Sequence, residues 1–159
     1  MPVRKNLRLP SFDYGQPGAY FITVCTDKRR NILSSVVGGD AHIAPCTKLT
    51  PIGRVVEKYL LSVPGLGAYV IMPNHVHMIL YSSASRILEG PMWASAPTNN
   101  HVPSALRSWK TLVTKELGYS IWQRSYHDHI IRNEEDYNAI LRYIQENPAK
   151  WCEDRYYNL

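Results

Sequence analysis

Between Met72 and Leu80 the chain reads Met-Pro-Asn-His-Val-His-Met-Ile-Leu: a Pro-Asn turn, two histidines one residue apart, and an apolar run. Successive strand side chains point to opposite faces, so Val76, Met78 and Leu80 share one face while His75 and His77 stand together on the other. The first face needs an apolar cover, which calls for helices packed on one side of a sheet. The second face aims two imidazoles at one point, which is half of a metal site.

The surrounding pattern supplies that cover. Residues 19–26 are rich in β-branched and aromatic side chains and follow the turn Gly15-Gln16-Pro17-Gly18, so they read as a strand. Residues 36–47, with Gly38-Gly39-Asp40, read as a loop or small ribbon. Thr50 is a good N-cap with Pro51 at the first helical position, and Ile52, Val55, Val56, Tyr59, Leu60 and Val63 then recur at helical spacing. Residues 68–72 and 75–81 form two short strands around Pro73-Asn74, close enough for an antiparallel hairpin. A second helix spans 103–117, with Ala105, Leu106, Trp109, Leu112 and Val113 inward and Gly118 at its end. Residues 121–131 read as a strand, and Asn133 caps a third helix whose first turn carries Glu134, Glu135 and Asp136.

The order β-α-β-β-α-β plus a terminal helix predicts an α+β, ferredoxin-like antiparallel sheet with two helices on one face, the other face being free for a site. The expected organisation is one domain over 1–159, with a basic arm at 1–17, a flexible loop at 82–101 and a tail at 149–159. At 159 residues, 45% hydrophobic and 19% charged, the composition is that of an ordinary globular domain. No window reaches the ~18 apolar residues of a membrane span, and the basic start lacks a signal-peptide core, so no membrane partner and a cytoplasmic location are expected. Cys25, Cys46 and Cys152 include no CxxC pair and read as reduced thiols. The net charge of +5 makes a polyanion a plausible partner. Basic residues interleaved with Trp109, Trp122 and Tyr126 are what single-stranded nucleic acid requires.

The third helix brings chemistry towards the histidines. Its apolar stripe is Tyr137, Ile140, Leu141 and Ile144. Tyr143 falls about 110° and Asn147 about 70° from the centre of that stripe, on the same flank and one turn apart. A phenol can attack phosphorus when a metal neutralises the phosphate and its proton is taken. Asn147 can offer its amide oxygen as a third ligand.

Four stretches in order resemble one family. Met72-Pro73-Asn74-His75-Val76-His77 resembles the His-hydrophobic-His motif of single-tyrosine (HUH) transposases, the IS200-like superfamily. Residues 9–21, residues 122–126 through 131–135, and Tyr143-Ile144-Gln145-Glu146-Asn147-Pro148-Ala149-Lys150-Trp151 resemble its REP-associated tyrosine transposase branch. The resemblance implies a metal-dependent single-stranded DNA endonuclease and strand transferase working through a 5′-phosphotyrosine. It implies Tyr143 as nucleophile, His75, His77 and Asn147 as ligands, Mg2+ or Mn2+ as the divalent metal, and hairpin DNA as partner. Some relatives supply the tyrosine helix across a homodimer. Better-known members of the superfamily carry glutamine where this chain has Asn147.

Arg4, Lys5, Arg8, Lys110, Arg124, Arg132 and Lys150 are the candidate phosphate contacts. His127 and His129, flanking Asp128, could form a second metal pair, although structural or DNA-contact roles suit them better. Tyr156 and Tyr157, beyond Pro148, are weak candidates for the nucleophile. Two other classes remain: a nucleic-acid-binding regulator that no longer cuts, and a metal-dependent phosphodiesterase that uses water and has no need of Tyr143.

Overall fold

The computed structural model describes residues 18–82 and 102–157. The arm at 1–17 and nearly all of the 82–101 loop therefore lie outside the described residues. In chain order the elements are β1 (Ala19–Cys25), β2 (Ser34–Val37), β3 (Cys46–Leu49), α1 (Pro51–Leu60), β4 (Leu66–Ile71), β5 (His75–Tyr81), α2 (Val102–Leu117), β6 (His127–Ile131) and α3 (Glu134–Glu146). A four-stranded antiparallel sheet has the order β4-β5-β1-β6, while β2 and β3 pair separately as the small ribbon.

Period-2 patterning assigns the faces. Tyr20, Ile22 and Val24 of β1 and Val76, Met78 and Leu80 of β5 pack on one side against Val56 and Leu60 of α1 and Leu106, Trp109 and Val113 of α2. Leu112 is the exception to the expected inward set: it is exposed, because the packed positions of α2 are 102, 106, 109 and 113 and leave 112 off the stripe. Helix α1 starts where the sequence indicates. The Thr50 hydroxyl accepts from Gly53 N–H at 3.0 Å and donates to the Ile32 carbonyl at 2.6 Å, clamping the helix to the preceding loop. Contact there is close enough that a Cβ on Gly53 would lie 1.9 Å from the Leu33 carbonyl oxygen.

Two features differ from expectation. The strand expected over 121–131 is limited to His127–Ile131, because Trp122 makes only an isolated bridge to Thr26 and the chain then crosses towards α2. The second face of the sheet is also covered, not free. Ile140 and Ile144 of α3 pack there on Ile79, and the tail behind α3, including a 3-10 turn at Trp151–Glu153, lies over the histidine end. An amphipathic third helix has to bury its stripe somewhere, and the apolar side chains Ala19, Phe21 and Ile79 on that face provide the place.

Candidate active site

Strand pairing sets the site. Cys25 is opposite His75 and Thr23 is opposite His77, so these side chains project from the α3-covered face. His75 is 0% and His77 1% exposed. Their Nε2 atoms are 3.0 Å apart. Two nitrogens each about 2.1 Å from one ion and at right angles to it would stand about 3.0 Å apart, so the pair has the spacing of adjacent ligands.

Each ring is held from behind. Asn74, fully buried, donates through Nδ2 to the Tyr156 carbonyl at 2.7 Å and the Arg29 carbonyl at 3.4 Å. With its nitrogen so used, Asn74 Oδ1 faces His75 Nδ1 at 2.8 Å and accepts its proton, leaving Nε2 of the neutral ring bare. His77 Nδ1 is 2.8 Å from Thr23 Oγ1, a hydroxyl that can donate or accept. Such partners behind metal-binding histidines fix the tautomer and ring orientation.

Electrostatics keep both rings neutral. Burial pushes His75 down to about 3; the Asn147 amide beside the ring opposes this, and the charges of Arg155 and Arg29 add to it. Burial, the neighbouring His75 and Arg155 hold His77 well below the ordinary range. Neutral imidazoles are the form that binds metal.

Tyr143 and Asn147 meet the histidines as the helical geometry indicates. The Tyr143 ring lies 5.2 Å from the His77 ring and edge-on to Phe21 at 6.0 Å, and the residue is 40% exposed. Partial burial and the negative charge of Asp154 raise its phenol above the ordinary value, while the Asn147 amide opposes the rise. Asn147 is buried at the C-cap of α3, and among the described residues its Oδ1 has no hydrogen-bond partner within bonding geometry. A buried carbonyl oxygen with no donor calls for a partner, and a cation beside the histidines is one that fits.

Several site residues carry no periodic signal in the sequence. Asp154 brings a carboxylate oxygen within 4.8 Å of the His75 and His77 nitrogens. The Tyr156 ring lies 4.5 Å from His75 and 5.9 Å from His77, and Trp151 lies 5.9 Å from His75, so the tail seals the imidazoles from above. Arg155 donates to Tyr156 Oη at 2.6 Å, and Arg29 stands over the same ring. A tail beyond a helix-stopping proline has no period to read. Asn74 and Thr23 were visible only as neighbours, one in the turn motif and one in the first strand.

The remaining candidates scatter. Arg4, Lys5 and Arg8 lie outside the described residues. Lys110 and Arg124 border a groove beside α2. Arg132 is exposed at the end of β6, and Lys150 pairs with Glu146 at 2.7 Å. The cations whose charge reaches the histidines are instead Arg29 and Arg155. His129 pairs with Asp136 at 2.8 Å. His127 lies beside Thr23 on the site face, and among the described residues no ligand cluster includes either one. The three cysteines are free thiols, with Cys25 buried.

No family model matches the chain. An uncharacterized protein of Haemophilus influenzae is 28% identical over 174 residues, covering 97% of this chain and 93% of that protein. The REP-associated tyrosine transposase of Escherichia coli K12 is 30% identical over 86 residues, covering 54% of this chain and 44% of the relative. The solved structure of a REP-associated tyrosine transposase bound to a REP hairpin superposes with a TM-score of 0.61 at 23% identity, covering 91% of this chain and 74% of that one. At that identity the superposition establishes the shared fold. In sequence this chain is similar to REP-associated tyrosine transposases over part of its length, and it shares the fold of one of them.

Proposed function

We propose that the protein is a transposase that nicks and rejoins single-stranded DNA at palindromic hairpins through a covalent 5′-phosphotyrosine. The observation that carries this reading is the convergence of two neutral imidazoles, their Nε2 atoms 3.0 Å apart, with the Tyr143 phenol and the unpartnered Asn147 oxygen. The hairpin-bound relative with the same fold supports the substrate class.

A divalent cation, Mg2+ or Mn2+, would be held by His75 and His77, with Asn147 Oδ1 and the Asp154 carboxylate as oxygen donors. When bound, it would neutralise charge on the scissile phosphodiester. The chain's own residues do the rest. Without a cation, His77 Nε2–H donates to His75 Nε2 while Thr23 donates to His77 Nδ1. Holding a cation through both Nε2 atoms would require the His77 proton on Nδ1, where the Thr23 hydroxyl is placed to accept it. Tyr143 Oη attacks phosphorus and gives up its proton. The P–O3′ bond breaks, the 3′-oxygen leaves as a protonated hydroxyl, and the 5′-phosphate stays on the tyrosine. Because the phosphodiester energy is retained, a 3′-hydroxyl can reverse the step, and no nucleotide triphosphate is required.

A water-using phosphodiesterase is the second reading, favoured by the Asp154 carboxylate, which completes a His-His-Asp set beside the tyrosine. Hairpin oligonucleotides labelled at either end, incubated with Mn2+ or Mg2+ and run on denaturing gels, separate the two. We expect an adduct that Tyr143→Phe abolishes while DNA binding persists. Cleavage without an adduct would overturn the phosphotyrosine in favour of water. DNA binding without any cleavage would leave only a regulator.

A further inference from the structure

A second feature lies beside the helix layer, away from the histidines. A cavity of about 410 Å³ opens between α2 and the crossing segment behind it. That volume lies in the range of small-molecule sites. Arg107, Lys110, Thr114 and Lys115 share one face of α2 at spacings of three, four, seven and eight residues, and Arg124 faces them from the crossing segment. Among the described residues, no acidic side chain lines the cavity.

Two buried groups distinguish it from an ordinary basic surface. Lys110 is half-buried and donates to the Gln123 carbonyl at 2.6 Å, and burial lowers its pKa, so its ammonium is held inward with donors to spare. Trp122, which also lines the cavity, is 6% exposed, and its buried indole N–H has no hydrogen-bond partner among the described residues. An indole can only donate, so this group calls for an incoming acceptor.

We infer that this cavity is a binding site for one unpaired nucleotide of a DNA strand. Its phosphates would sit on Arg107, Lys115 and Arg124, and its base would sit inside against Trp122 and Tyr126. Cations tracking a backbone beside aromatic side chains are the combination that single strands require. The crossing segment is also rigidly joined to the site. Asp27 N–H donates to the Ile121 carbonyl at 2.8 Å, and Gln123 N–H donates to the carbonyl of Cys25, the residue opposite His75, at 3.0 Å. A strand seated in the cavity is thereby fixed in position relative to the histidines. The inference rests on the DNA-processing reading for the identity of the polyanion.

The test is fluorescence anisotropy of a labelled 12-nucleotide oligo-dT, with chelator present, so that binding is read independently of metal and tyrosine. Arg107→Gln with Arg124→Gln is compared with Lys48→Gln with Arg54→Gln, an equal charge change elsewhere. The cavity pair should weaken binding about tenfold and lower the salt slope by about 1.4. Thr114→Phe, which fills the cavity without changing charge, should weaken binding of the single strand about tenfold and leave the slope and a blunt duplex of equal length unaffected. Circular dichroism checks that each variant is folded. Equal effects of the two charge pairs, or a Thr114→Phe protein that binds like wild type, would overturn the site. Adduct formation on hairpins is scored separately: loss of the adduct with these binding effects intact refutes the phosphotyrosine and leaves the cavity standing.

Discussion

The buried imidazole pair makes the fold sensitive to acid in a way that can be calculated. Burial lowers His75 from an ordinary value of 6.5 to about 3, so the native protein binds fewer protons at this residue than the unfolded chain does. Stability is therefore fully present above pH 6.5 and is lost progressively as pH falls from 6.5 towards 3. At pH 4.5 the unfolded ring is protonated and the folded one is not. The loss is about 2 pH units at 1.36 kcal/mol each, or roughly 2–3 kcal/mol. His77 is shifted in the same direction and adds to it. For a chain of this size that corresponds to a fall in Tm of roughly 5–10 °C. Differential scanning fluorimetry between pH 7.5 and 4.5, with chelator present, measures it. His75→Gln with His77→Gln removes both titrations, so its Tm should fall much less over the same range. If wild type and variant fall in parallel, the acid loss comes from other groups and the argument from burial is refuted.

Three further outcomes follow from the geometry. Thr23→Val keeps the shape of the side chain but removes the partner of His77 Nδ1, and should weaken Mn2+ binding about 10- to 100-fold by calorimetry while lowering Tm by roughly 3–8 °C, because a buried ring nitrogen loses its hydrogen bond. Asp154→Asn should lower Mn2+ affinity and also bring the Tyr143 phenol down towards its ordinary value, seen as a shift of its ultraviolet titration to lower pH. Gly53→Ala should destabilise by about 2 kcal/mol in urea unfolding despite alanine's better helix propensity, because its Cβ would collide with the Leu33 carbonyl oxygen.

The elements that could be read in advance were those with a period. β1 and β5 carry alternating patterns and α1 and α3 helical ones with caps at their starts, and the structure starts each where its pattern does, although α1 ends three residues short of Val63. Tyr143 and Asn147 were legible for the same reason: helical spacing fixes a flank without knowledge of what the flank meets. The failures share a cause. Residues 121–126 are apolar and aromatic enough to resemble a strand, yet they form the wall of a groove, because edge pairing is decided by tertiary contacts. Asp154, Arg155 and Tyr156 follow a proline in a stretch without periodicity, and their approach to the histidines depends on an 82-residue closure between Asn74 and Tyr156. Leu112 misled through composition, being apolar but off the packed stripe of α2.

The pairing of β1 with β5 has a consequence for what changes the chain can tolerate. Thr23 and His77 are ladder partners, as are Cys25 and His75. One residue inserted or deleted within β1 would exchange the two faces, turning Val24 towards His77 and pushing Thr23 among Val76 and Met78. The ladder therefore stores two kinds of information at the same positions: which side chains fill the core, and which hydroxyl reaches the imidazole. A length change in this strand would disrupt both together.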